Sequence, residues 1–342
     1  MLESTKQGLT IVFKLALLNL FAGYCVSAHA KTTNHCESTP EVLTHTTLSG
    51  LANFWFGSPD FQFAILTATN ARSADPMSMF AFISNPHQLS TLKEGKPNHV
   101  CIPEVAEAER LKLRFDSYLA AVHDMALAEP SEMVDNLDPV PASGPVTVVS
   151  WVRADQAKKS FSGQPGSTYT TKDNMWVTLA PHVQKFCREF AATHSENPDR
   201  VTLRLEQRLG LGPASSKTHF IELAIATPRD RKSLFRPCGD TNVMTTSCTL
   251  GGPSSCGADD KTCHQQSDFF YQQYYSSYGS ARPVEYPWTS LGYTFDWEYK
   301  EAGLGGRFDF VQIGESEYVV PAHTKMELVS KQTTAEYCGL VK

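Results

Sequence analysis

The residues whose spacing carries the most chemistry are Glu315 and Glu317, in the run Gly314-Glu315-Ser316-Glu317-Tyr318-Val319-Val320-Pro321. Its β-branched tail reads as a strand, and alternation along a strand puts side chains i and i+2 on one face. Two carboxylates opening into one cleft can stabilise positive charge developing on a sugar carbon, or divide acid and base roles. The pattern is short, however. Glu107-Ala108-Glu109 repeats it in a helical stretch, and solvent-facing charge on an edge strand also serves to block aggregation. Asp296 and Glu298 offer further carboxylates that could pair with Glu317 for glycoside hydrolysis. The rings of Phe269, Phe270, Tyr271, Tyr274, Tyr275 and Tyr278, and those of residues 286–297, suit either sugar stacking or core packing. Cys187 has His182 and His219 as potential activating bases, but it reads more simply as half of a disulfide. The chain contains no G-x-S-x-G, no H-E-x-x-H and no phosphate-cradling glycine loop.

The elements that must position these groups are legible in outline. A β-branched strand covers residues 146–152 and leads to Arg153, and a second strand covers 175–179 with Thr178 inside it. A helix after Pro181 carries Val183, Phe186 and Phe190 on one side, and another helix stops at Gly210. Strands follow at 218–226, 308–313, 317–320 and 326–329. The stretch 239–267, rich in Gly, Ser, Thr and Cys, reads as a disulfide-tied loop. Upstream, Ala108, Leu111, Phe115, Tyr118, Val122 and Met125 recur at steps of three and four, which predicts a helix over 104–128 with an apolar stripe for a neighbouring domain. Between them, the proline-rich stretch 129–145 reads as a linker. The fold class is therefore α+β: a first unit over 31–128, a linker over 129–145, and a larger mixed domain over 146–342.

Composition limits the function classes. With 342 residues, 41% hydrophobic and 19% charged, the chain can bury sizeable cores. A formal charge of −6 argues against a protein whose work is to neutralise nucleic-acid phosphates. Lys6 and Lys14, the apolar stretch 15–26 and Ala28-His29-Ala30 make residues 1–30 a cleaved secretory signal peptide, so the mature chain is expected in the periplasm or outside the cell without a transmembrane segment. Of the nine cysteines, only Cys25 lies in that leader. The even remainder (Cys36, Cys101, Cys187, Cys238, Cys248, Cys256, Cys263 and Cys338) reads as disulfides. Cys36 and Cys101 bracket a compact segment and are taken as one bridge. The spacing of the others, with His264, lacks the paired knuckles of a zinc site, so no metal is expected.

Two resemblances sharpen these readings. Thr47-Leu48-Ser49-Gly50-Leu51-Ala52, Phe56-Gly57-Ser58-Pro59, Ile65-Leu66-Thr67-Ala68-Thr69-Asn70, then Leu92, Gly95 and Cys101-Ile102-Pro103, resemble a LysM module over about residues 44–103. The stretch between Asn70 and Gly95 is longer than the family's. The resemblance implies a βααβ fold and binding of N-acetylglucosamine-containing glycan such as peptidoglycan. The matching loops would supply Gly57, Ser58, Asp60 and Asn70. Residues 314–321, followed by Thr324-Lys325-Met326-Glu327-Leu328, resemble the last strands of mono-ADP-ribosyltransferases. That resemblance implies cleavage of NAD and a protein acceptor, with Glu317 as the catalytic carboxylate and Glu315 orienting the acceptor. It also asks for an early-strand Arg and a Ser/Thr strand. Arg153 with Thr178 fits, in the preferred frame, and Arg236 with Tyr275-Ser276-Ser277 fits in a second. A structural or interaction role without catalysis remains the third reading, with no cofactor.

Overall fold

A computed structural model describes residues 35–39, 45–58, 98–102, 105–195, 197–213, 215–225, 233–253, 256–278, 286–300 and 309–341. The expected signal peptide, Asp60 and Asn70 lie outside the described residues.

Seven strands form one antiparallel sheet: β3 (Val146–Arg153), β4 (Thr168–Thr170), β5 (Met175–Leu179), β6 (Lys217–Ile225), β7 (Tyr293–Lys300), β8 (Asp309–Val320) and β9 (Lys325–Thr333). Their order is β4-β9-β6-β3-β5-β8-β7. The strands that carry Arg153, Thr178 and Glu317 are therefore consecutive neighbours in the sheet, β3-β5-β8.

Both faces of this sheet are covered, which is why its central strands are apolar on both sides. On one face Val148, Val177, Ile221, Leu223, Tyr318, Val320 and Leu328 share a core. On the other, Val149, Trp151 and Phe220 pack against three helices, α4 (Ala180–His194), α5 (Pro198–Arg208) and α7 (Thr334–Tyr337). A disulfide from Cys187 to Cys338 ties α4 to the residue after α7, a second, Cys238–Cys248, staples the loop before α6 (Lys261–Tyr278), and a third, Cys256–Cys263, ties that loop to the first turn of α6. A six-residue helix, α3 (Ala154–Lys159), follows β3 directly.

Upstream, α2 (Val105–Asp124) turns Tyr118, Ala121 and Val122 onto Phe295 and Trp297 of β7, the neighbour its stripe predicted. A separate ladder pairs β1 (His35–Thr39) with β2 (Asn98–Ile102), and between them in sequence lies α1 (His45–Phe56). The register sets Cys36 opposite Cys101.

Three expectations change. The opening strand of the first unit lies at His35–Thr39, ahead of the matched segment, while residues 47–52 are helical in α1. The stretch 129–145 is a strap packed on the sheet domain: Leu137 and Val140 are buried, and their amides donate to Thr246 and Val243 at 2.8 and 2.9 Å. Its prolines and polar residues hid two apolar anchors. Finally, the two closing strands are one, β8, which runs through Gly314. A Cβ there would sit 2.2 to 2.4 Å from Thr294 Oγ1, the Arg208 carbonyl and the Thr294 carbonyl, so glycine permits a close approach and breaks nothing.

No helix among the described residues is long and apolar enough to cross a membrane.

Candidate functional site

The site is built from the register of β5 on β8. Thr178 lies opposite Glu317, and Trp176 lies opposite Val319. Thr178, Trp176 and Glu317 therefore meet on one face at the edge of the α4–α5 layer. Here two adjoining cavities share walls made by Trp176, Leu209, Leu211, Lys217, Thr294 and Glu317. The larger, about 210 Å³, extends beneath Tyr286, Pro287 and Trp288, and the smaller, about 120 Å³, extends between Thr178, Trp151 and Phe220.

Aromatic packing fixes these walls. Trp176 meets Trp288 edge-on at 6.3 Å and Phe269 of α6 at 5.6 Å. Trp151 stacks on Phe220 at 5.4 Å. The remaining wall is the end of α5, where Gly210 takes a left-handed φ of +62°. A Cβ on Gly210 would lie 3.3 Å from both the amide nitrogen and the carbonyl of Phe295, so only glycine lets the helix end close onto β7.

Glu317 enters this space as an isolated acid. Its backbone amide donates to the Gly292 carbonyl at 2.9 Å. No hydrogen bond or ion pair from a described residue reaches its carboxyl group. The side chain keeps some contact with the cavity, but the surrounding protein strips it of bulk solvation. This burial pushes its acid up to about 8. Lys217 lines the same two cavities, also without an ion pair among the described residues. Burial, and then the charge of Arg153, pull its ammonium down to about 8, with Glu206 opposing them. Two ionisable groups with shifted acidities, neither ion-paired among the described residues, thus share one aromatic cleft, and this makes it the candidate site.

The predicted site residues sort clearly. Thr178 and Glu317 come together. Arg153 ends β3 opposite Lys217, and its Nε donates to Asp155 at 3.3 Å; it flanks the cavities beside Lys217 rather than walling them. Glu315 occupies a different crevice. Arg208 Nε holds its carboxylate at 2.8 Å, beside His182 and Asp138, so the two glutamates share a strand but not a cleft. The alternative frame dissolves: Tyr275, Ser276 and Ser277 are helical in α6, and Arg236 is fully buried, stacked on Tyr318 at 4.9 Å. Asp296 is claimed by Arg204 and lines neither cavity. Gly57 terminates α1 at φ +72°, its amide donating to Asn53 at 3.0 Å. Ser58 follows it half-buried.

Sequence reasoning missed Lys217. A lysine opening a strand looks like a solvated end, and only the β3–β6 pairing places it over the cleft.

The fold and site define a disulfide-stapled antiparallel α+β domain with a half-buried acid in an aromatic cleft. Comparison with protein-family models, curated proteins and solved structures returned no match.

Proposed function

We propose that the domain over residues 146–342 is an exported NAD-cleaving enzyme of the mono-ADP-ribosyltransferase kind, with Glu317 as its catalytic carboxylate. The observation that carries this reading is the pairing of Glu317 with Thr178 at the aromatic cleft, with Arg153 on the next strand. The donor chemistry fits the substrate. A cationic nicotinamide ring stacks on aromatic faces, and its positive charge beside Glu317 draws off the carboxyl proton that burial retains in the free protein. The resulting carboxylate stabilises the ribosyl cation as the C1′–N bond breaks and nicotinamide leaves with the bonding pair. The acceptor then bonds to C1′ and gives up its proton. Glu315, held by Arg208 in the neighbouring crevice, stands on the acceptor side. The test is nicotinamide release from NAD by the oxidised protein lacking its leader. Turnover supports the reading, and a folded protein that neither binds nor cleaves NAD sinks it.

A second reading concerns the first unit. The antiparallel pairing of β1 with β2, and a helix that stops at Gly57, favour the LysM-like expectation of glycan binding. On that reading the module anchors the enzyme to peptidoglycan. The protein is then expected to co-sediment with insoluble peptidoglycan and to be released by N-acetylglucosamine oligomers. Failure to sediment overturns it.

A further inference from the structure

His182 reads in the sequence as a base for Cys187, but Cys187 is spent in a disulfide. The ring instead lines the crevice that holds Glu315 and Arg208, about 560 Å³ in volume. There its Nδ1 lies 2.9 Å from a carboxylate oxygen of Asp138. A carboxylate only accepts, so in the neutral ring Nδ1 carries the proton and Nε2 keeps its lone pair. Among the described residues no hydrogen bond reaches that Nε2.

The pair is held from behind. Asp138 belongs to the strap between α2 and β3, and three buried side chains grip its backbone. Its amide donates to Ser316 Oγ at 2.8 Å, and its carbonyl accepts from Arg236 and from the Tyr318 hydroxyl. Arg236 is fully buried, and its Nε and Nη1 have no hydrogen-bond partner among the described residues. Keeping a guanidinium out of water on those terms is costly. Its Nη2 donates to the Asp138 and Thr245 carbonyls, so this costly charge fixes the strap at the residue that orients His182.

The crevice adjoins the Glu317 cleft. Arg208 lines the crevice and Leu209 the cleft, and Tyr293 lines both. Glu315 and Glu317, about 7 Å apart along β8, face one each. The charges of the crevice select what it accepts. Each carboxylate lining it is already answered: Asp138 by His182, Glu315 by Arg208 at 2.8 Å, and Glu189 by Lys185 at 4.0 Å. A guanidinium or ammonium acceptor would meet Arg208 and Lys185 with no unpaired acid to receive it. A neutral hydroxyl needs only a base for its proton.

We propose that His182, oriented by Asp138, is the base of the acceptor step, and that the acceptor is a hydroxyl group. The O–H proton passes to Nε2 as the oxygen bonds to C1′ of the ribosyl cation. Asp138 steadies the imidazolium that forms, and the half-exposed ring returns its proton to solvent. The inference rests on the proposed NAD-cleaving function and adds its base and its acceptor class.

The test supplies the full oxidised chain with NAD and three acceptors: water, methanol and agmatine, which carries a guanidinium. Nicotinamide release and the ribosyl products are measured. Wild type is expected to form ADP-ribose and its methyl riboside, and to gain no rate from agmatine. His182→Ala is expected to lower product formation by about 10²-fold, the lower range for a general base, and added imidazole to restore part of the loss. Asp138→Asn is expected to lose activity as well, because the amide favours the other ring tautomer. Imidazole is expected to do nothing for Glu317→Gln. His182 is half-exposed on α4, so His182→Ala is expected to fold as wild type does, which thermal unfolding checks. Wild-type rates in His182→Ala, or a loss that imidazole does not restore, overturn the base and leave the NAD-cleaving reading standing. Agmatine consumed in preference to methanol overturns the hydroxyl assignment. A wild type that does not cleave NAD overturns the transferase reading and the base with it.

Discussion

Glu317→Gln is expected to lower NAD turnover by about 10²–10³-fold and, in the same molecule, to make the protein more stable at pH 8. The two effects share one cause. Among the described residues no ion pair reaches the carboxyl group, and on the proposed reading its ionised form is stabilised when a cationic ring or a developing ribosyl cation arrives. Gln keeps the shape and the hydrogen-bonding capacity but cannot supply that charge, and it carries no ionisation penalty in the empty cleft. The pH window follows from the shift. An ordinary carboxyl near 4.5 in the unfolded chain becomes about 8 in the folded one. Between these values the folded protein holds a proton that the unfolded chain has lost. Stability supplied by the neutral acid is complete below the unfolded value and is lost as pH rises through the folded one. The loss is on the order of a few kcal/mol. Lys217 does not confuse the measurement. Its folded value of about 8, against 10.5 unfolded, falls at the upper measuring pH, where stability rises while the unfolded chain still holds the proton the folded one is losing; because Lys217 is present in both proteins, that slope cancels in the double difference. Urea titrations of wild type and variant at pH 5 and pH 8 isolate the Glu317 contribution as a double difference. Parallel pH slopes would show that the carboxyl is solvated and would remove the basis for its role.

What the sequence disclosed follows from what governs each element. β3, β5 and β6 are read directly because β-branched and aromatic runs buried on both faces leave a continuous signal. The α2 stripe is read because its period matches the helix, and Phe295 and Trp297 receive it. The pairing of Thr178 with Glu317 is foreseeable as a motif, because each lies within a strand whose type is clear. The rest depends on contacts between distant segments. Alternation correctly separates Glu315 and Glu317 from Ser316, but it cannot say that Arg208 stands over one glutamate and an aromatic cleft over the other. Composition reads 129–145 as a linker because its prolines outnumber its anchors, yet Leu137 and Val140 suffice to bind it to the sheet. The segment 269–278 is helical although its tyrosines and serines carry little helix propensity. Phe269 and Phe270 hold it against Trp176 and Trp288. Lys217 is invisible until β6 is paired with β3.

Asp296→Ala is expected to cost about 3–5 kcal/mol. Asp296 is fully buried and accepts from both terminal nitrogens of Arg204, at 2.9 and 2.8 Å. Arg204 also reaches Glu298 at 3.0 Å. Arg208 lies 3.7 Å from Asp296 and 2.8 Å from Glu315, and the Phe186 ring lies under both guanidinium groups at 4.9 and 5.0 Å. Removing the central carboxylate leaves the buried Arg204 guanidinium with only the part-exposed Glu298 to answer it, and that under-compensated charge, more than the lost attraction, accounts for the cost. The discriminating variant is therefore the double replacement Arg204→Met with Asp296→Leu, which removes both charges and is expected to recover most of the stability. If Asp296→Ala loses less than about 1 kcal/mol in urea, the network is hydrated and its burial is illusory. The catalytic readout separates clamp from scaffold. The network docks α5 on β7, and the residues that end α5, Leu209 to Leu211, wall the Glu317 cleft. A double variant as stable as wild type but weaker in NAD binding would show that the charges hold the cleft in shape. One that matches wild type in both would show that any well-packed contact can do so.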